Sequence, residues 1–96
     1  MEQVIPSGAL RRQPGMCLAR AARGETFVVL RHSRPVAVLR PPRDEDVTER
    51  RSATLLWRNL RDLLAEGQRK ALLITWYGIG TAVLEPLPED WEEGYE

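Results

Sequence analysis

Apolar and polar positions in this chain follow two rhythms, one suited to strands and one to helices. Phe27 to Leu30 is an apolar run rich in β-forming residues. Arg31 to Arg34 is polar, and Pro35 to Leu39 (PVAVL) is apolar again before Pro41-Pro42 stops it. Two such runs joined by a short polar loop predict a β-hairpin. The pattern returns near the C-terminus. Ala71 to Ile74 and Thr81 to Leu84 are apolar, Thr75 to Gly80 (TWYGIG) is turn-like, and the segment from Glu85 to Pro88 ends the second hairpin.

Before each hairpin the period lengthens. Ser7 is a plausible N-cap for one short turn over Ala9 to Arg12. Pro14 suits the first position of a second helix running to Arg23, and Gly24 suits its C-terminal end. Leu10, Pro14, Cys17, Leu18 and Ala21 form one apolar face. A further helix is predicted from Asp46 or Thr48 to about Glu66, with Ala53, Leu56, Leu60, Leu63 and Leu64 as its stripe, Trp57 beside the stripe and Gly67 at its end. Val4-Ile5 makes a short strand that ends at Pro6 or lies at an edge. Helix, glycine, hairpin and proline stop thus occur twice, about 44 residues apart. The second unit shows no convincing first strand.

Composition bounds the rest. A chain of 96 residues with 43% hydrophobic content supports one small domain with a modest core. The single cysteine, Cys17, permits no internal disulfide and belongs on the apolar helix face as a small core residue. A reducing cytoplasm fits this usage. Gln3, Arg11 and Arg12 interrupt any apolar leader, and no stretch approaches a membrane span. One histidine, one buried cysteine and no spaced carboxylate pair leave no catalytic set, and no Cys/His cluster suits zinc, so neither an enzyme nor a bound cofactor is expected.

Zero net charge hides an asymmetry. Residues 1–43 hold eight arginines against Glu2 and Glu25, whereas residues 44–96 hold six basic residues against twelve acidic ones. A basic half followed by an acidic half suggests two partners, one of them polyanionic; complementarity between the halves themselves is the competing reading. The hairpin tips differ in the same sense. Arg31, His32 and Arg34 make the first tip basic, either as a solvated turn or as a phosphate contact. Trp76 and Tyr77 make the second aromatic, to be buried against a partner or against the core. The tail from Glu89 to Glu96 has five acidic residues with Trp91 and Tyr95, which serve either as anchors in a basic groove or as incidental members of a solubilising tail.

The N-terminal half resembles the Phd/YefM antitoxins of type II toxin–antitoxin modules. The resemblance rests on Val4-Ile5, Ser7, Leu10-Arg11-Arg12, Gly24-Glu25, Phe27 to Leu30, and PVAVL after an arginine-bearing turn, and it covers about residues 1–42. Gln13-Pro14 and Ser33 depart from the family pattern, which commonly has asparagine-leucine and a turn glycine there. The second half carries a weaker echo: Thr54, Leu56, Arg58-Asn59-Leu60, Gly67, ALLIT, Gly78 and AVLEP. Its helix before Gly67 reads as about three residues short of the family pattern.

The implied fold is α+β: a small Phd/YefM-like sheet with helices on one side, β-α-α-β-β followed by a helix and a second β-hairpin. Residues 1–42 would form the DNA-binding and dimerisation region, 43–88 a degenerate second copy that could pack as an internal pseudo-dimer, and 89–96 an acidic tail. The implied function is that of an antitoxin and transcription repressor. It would bind operator DNA as a dimer, or in a higher assembly with its toxin, and neutralise a cognate toxin protein. Ser7, Arg11, Arg12, Arg31, His32 and Arg34 are then the DNA-binding candidates, with Arg11 or Arg12 able to reach a base edge. Trp57, Trp76, Tyr77, Trp91 and Tyr95 are the toxin-binding candidates. A protein-interaction module of the same fold, monomeric and without DNA binding, is the alternative.

Overall fold

The computed structural model describes residues 3–43 and 49–89. It is an α+β domain with one six-stranded mixed sheet and four helices. Strand β1 (Gln3–Pro6) leads into α1 (Ser7–Arg12) and α2 (Pro14–Ala22), then into β2 (Phe27–Arg31) and β3 (Arg34–Arg40). The same order follows again: β4 (Arg50–Ser52), α3 (Leu55–Arg58), α4 (Leu60–Gly67), β5 (Leu72–Trp76) and β6 (Ile79–Glu85). Across the sheet the strands run β1-β2-β3-β6-β5-β4. Each copy contributes half of the sheet, and the two meet at the antiparallel pair β3 and β6.

The repeat is a structural one, held residue by residue. In the first hairpin Phe27 faces Leu39, Val29 faces Ala37, and a bulge at Val29/Leu30 brings Leu30 opposite Pro35. In the second, Leu72 faces Leu84, Ile74 faces Ala82, and a bulge at Ile74/Thr75 brings Thr75 opposite Gly80. Every pair recurs 45 residues later. Both turns have two residues with positive φ, His32-Ser33 and Tyr77-Gly78, the geometry that matches strand twist in tight hairpins. At the seam Leu39 faces Leu84, its own counterpart, so a pseudo-twofold axis passes there.

The first unit follows the expected order, including Pro14 at the start of α2 and Gly24 past its end at φ 111°. Gly24 N–H donates to the Ala21 carbonyl and Glu25 N–H to the Arg20 carbonyl, which closes the helix as a paired C-terminal cap. Ser7 differs from expectation. It is the first residue of α1 rather than its cap, and the cap position is Pro6, which has no side-chain donor or acceptor.

The second unit departs further. In place of one long helix there are a strand and two short helices, broken at Asn59 (φ −153°, ψ 52°) where the first copy breaks at Gln13 (φ −134°, ψ 55°). The expected caps Asp46 and Thr48 lie outside the described residues. Strand β4 pairs in parallel with β5, as β1 pairs with β2, so the missing first strand is present. It escapes the apolar pattern because it is a polar edge strand, with Arg51 held by Glu66 of α4 at 2.7 Å. Gly67 also differs from its expected role. It is the last residue of α4, at the position that corresponds to Ala21 of α2, and an added Cβ would lie 2.6 Å from Leu84 Cδ2. Close packing, not chain reversal, requires glycine there. The second helix pair is the shorter one, with four and eight residues in α3 and α4 against six and nine in α1 and α2, and four residues connect each pair to its hairpin.

Helix residues of both copies (Leu10, Leu18, Leu56, Leu63) and one face of the central strands (Phe27, Leu39, Leu72, Leu84) form a single buried cluster. The stripe from Ala53 to Leu64 is buried as expected, and so is Cys17, whose thiol is pushed up by burial. The two copies thus share one core.

Two pseudo-equivalent clefts as the candidate functional site

Each copy carries an open cleft between its first short helix and its hairpin tip, and in the first copy the second helix of the other copy adds a further wall. In the first copy a cavity of about 210 Å³ is lined by Ser7, Gly8 and Arg11 of α1, Arg31 and His32 of the first hairpin, and Leu60, Arg61 and Leu64 of α4. Among the described residues no carboxylate lines it. Arg12 folds back over Gly8, with Nη1 3.0 Å from where a Cβ on that glycine would sit. A second guanidinium of α1 therefore stands against the cleft wall.

The second cleft, about 600 Å³, is lined by Ser52, Ala53, Thr54 and Trp57 around α3 and by Thr75, Trp76, Tyr77 and Gly78 of the second hairpin. Trp76 packs edge-on against Trp57 at 6.0 Å between ring centres and against Tyr77 at 5.8 Å. These contacts fix the rings relative to one another. Tyr77 is 90% exposed and Trp57 43% exposed. Gly15, at the start of α2, lies against Trp76.

The helix junctions at Gln13 and Asn59 and the hairpin registers match these clefts position by position. Arg11 corresponds to Trp57, Arg31 to Trp76, His32 to Tyr77, and Arg61 to Gly15. One cleft is cationic and its counterpart is aromatic and uncharged. Because β3 and β6 are antiparallel, the two hairpin tips lie at opposite ends of the sheet.

Of the expected DNA-binding residues, Ser7, Arg11, Arg31 and His32 are brought together. Arg34 pairs with Arg31 across the turn but does not line the cleft. Arg61 was not singled out from sequence. Its contribution depends on packing between copies, and its only sequence signal is its place beside Leu60 on the stripe. Of the toxin-binding candidates, Trp57, Trp76 and Tyr77 form one cluster, whereas Trp91 and Tyr95 lie outside the described residues.

The charge asymmetry also falls differently from the halves of the chain. All fourteen lysines and arginines are among the described residues, with only six carboxylates: Glu25, Glu49, Asp62, Glu66, Glu85 and Glu89. The described body thus has a formal charge of +8, and the balancing eight carboxylates are Glu2, the three at residues 44–46 and the four at residues 90–96. The second folded copy is not acidic. Among the described residues no helix is long and apolar enough to cross a membrane. No family model matches the chain, and no match was found among curated proteins or solved structures.

Proposed function

We propose that this chain is a DNA-binding antitoxin that carries in one polypeptide the two copies of a Phd/YefM-like unit. Its cationic cleft docks on operator DNA to repress its own operon, and its aromatic cleft holds a cognate toxin. The observation that carries this reading is the contrast between two pseudo-equivalent clefts, one cationic and one aromatic, at opposite ends of one sheet. Sites built on the same backbone with opposed chemistry serve different partners. Arg11, Arg31 and Arg61 can neutralise phosphates, and the basic body draws in a polyanion. Trp57 and Tyr77 offer large exposed rings fixed in place, which suits a protein interface. The resemblance of residues 1–42 supplies the antitoxin assignment.

Duplex binding tests the reading directly. Labelled fragments covering the DNA upstream of the coding sequence are titrated with the chain at several salt concentrations. Arg11→Ala with Arg61→Ala should weaken binding at least about tenfold and make the logarithmic salt slope shallower by about two, one for each lost phosphate contact. Co-expression with the adjacent gene product tests the other cleft. Trp57→Ala with Tyr77→Ala should abolish neutralisation while leaving duplex binding intact. Complete lack of duplex binding at low salt would overturn the repressor role. It would favour the interaction-module reading, for which the pairing of β3 with β6 inside one chain is the supporting observation.

A further inference from the structure

Two cationic clefts related by a twofold axis would suit an inverted repeat, since each would meet the same half-site in the same orientation. A body of 36 × 29 × 24 Å is large enough to set such clefts about one DNA turn, ~34 Å, apart. This chain retains the axis and has lost the equivalence. Where arginines line the first cleft, the second presents none: Trp57 stands for Arg11, Trp76 for Arg31, and Gly15, beside Trp76, for Arg61, while Tyr77 stands for His32; only Arg12, against the first cleft's wall, has a cationic counterpart, Arg58. An aromatic ring displaces no counterion from a phosphate, so the second cleft adds nothing to the salt-dependent part of binding.

The seam also closes off the route by which a single copy would recruit an identical one. β3 is already paired with β6, and Arg40 meets Glu85 across the axis at 2.9 Å. In a symmetric pairing of first copies, arginine would face arginine there.

From this we infer that each chain takes one asymmetric duplex segment through a single cationic cleft, and that its operator needs no inverted repeat. The inference rests on the DNA-binding reading above and specifies the kind of DNA that reading requires. Arg61 belongs to the same footprint although it comes from the second copy, so the second copy serves DNA binding by completing the cleft of the first.

The experiment uses the full chain and the tightest-binding upstream fragment, about 30 bp long, cut into two duplexes of about 15 bp. Stoichiometry is measured by analytical ultracentrifugation and affinity by anisotropy. The expected result is one chain per binding segment, with one half-length duplex retaining the full affinity within about threefold. A second measurement uses Trp57→Arg, Trp76→Arg and Tyr77→His together, after circular dichroism confirms that the variant is folded. Such a chain should gain at least about tenfold for a duplex carrying the segment twice in inverted orientation, with a steeper salt slope. A wild-type chain that binds as a symmetric pair to an inverted repeat, and loses more than about a hundredfold on either half, would overturn the inference while leaving the DNA-binding reading intact. Absence of duplex binding with every fragment would overturn both.

Discussion

His32 and Ser33 sit in the left-handed region, at φ 52° and 64°, as two consecutive residues with side chains. A β-carbon crowds the following carbonyl there and costs about 1–2 kcal/mol per residue relative to glycine. The second tip has glycine at the matching position, Gly78, at φ 79°. Arg31 faces Arg34 immediately outside the first turn, where like charges oppose each other, whereas Trp76 faces Ile79 in the second. Tyr77 matches His32 at φ 52°, so the costs the first tip keeps and the second has shed are the side chain at Ser33 and the like-charged pair. Strain retained at a cationic tip accords with a binding role. Ser33→Gly should raise stability by about 1 kcal/mol, read as a higher urea midpoint at unchanged slope. If the cleft reading holds, duplex affinity should stay within about twofold, because Ser33 does not line the cleft. A Ser33→Gly chain no more stable than wild type would mean that the turn carries no strain.

At the scale of elements, each copy ties its edge strand to its second helix through a polar cluster, and the polarity is reversed between copies. In the first, Arg20 of α2 donates to Glu25 at 2.7 Å and to Gln3 of β1 at 2.7 Å, and Gln3 donates to Glu25 at 2.8 Å. In the second, Glu66 of α4 stands where Arg20 stood and Lys70 where Glu25 stood, with Lys70 2.6 Å from Glu49 and Arg51 2.7 Å from Glu66.

Hydrogen bonds from Arg20, and then from Gln3, hold the Glu25 carboxyl at about 2. Lys70 lowers Glu49 and Arg51 lowers Glu66 in the same way. An unfolded glutamate takes up its proton near pH ~4.3, so the unfolded chain binds protons first as the medium acidifies. Stability from these groups is then complete above pH ~4.3 and is lost as pH falls toward 2. Thermal unfolding should show a Tm that is flat from neutrality to pH ~5 and falls below it. Glu25→Gln should flatten part of that fall while lowering the neutral-pH Tm slightly, as expected for an exposed pair. A wild-type Tm independent of pH down to 3 would show that these clusters do not contribute.

These clusters also explain what could be read from the sequence. The hairpins and the helical stripes were legible because their apolar periods are strong. Strand β4 was not, because Arg50, Arg51 and Ser52 reach it through a backbone ladder and an ion pair rather than through apolar burial. The repeat itself was visible, but matching Gly67 to Gly24 misplaced its helices: one glycine answers a steric contact with Leu84, the other a positive φ. Arg11, Arg31 and His32 were legible as a cationic set. Arg61 was not, since nothing along the chain shows that α4 lines the same cleft as α1.

For the whole molecule, the central question is what holds two copies of one unit together as a single body. The seam pairs Leu39 with Leu84 on the axis and sets Arg40 against Glu85 beside it. Their side chains are only 10% and 27% exposed, so the pair is screened less than a surface salt bridge. Arg40 Nη1 also donates to the Pro41 carbonyl at 3.0 Å, which anchors the guanidinium in place. Because Arg40 and Glu85 occupy equivalent positions, a perfect repeat would set like charges against each other across the axis. The divergence at this one pair lets unlike copies associate and penalises like ones. Glu85→Arg recreates the like-charged seam and should destabilise the chain by about 1–3 kcal/mol. Adding Arg40→Glu to that variant reverses the pair and should recover at least half of the loss. Urea unfolding of the wild type, both single variants and the double variant gives the coupling directly. The slope should be the same in all four, since one core shared by both copies unfolds as one unit. If Glu85→Arg is as stable as wild type, the apolar contacts of β3 and β6 hold the copies together without help from charge. If the slope instead falls in the single variants, the copies have begun to unfold separately, and the pair is what couples them.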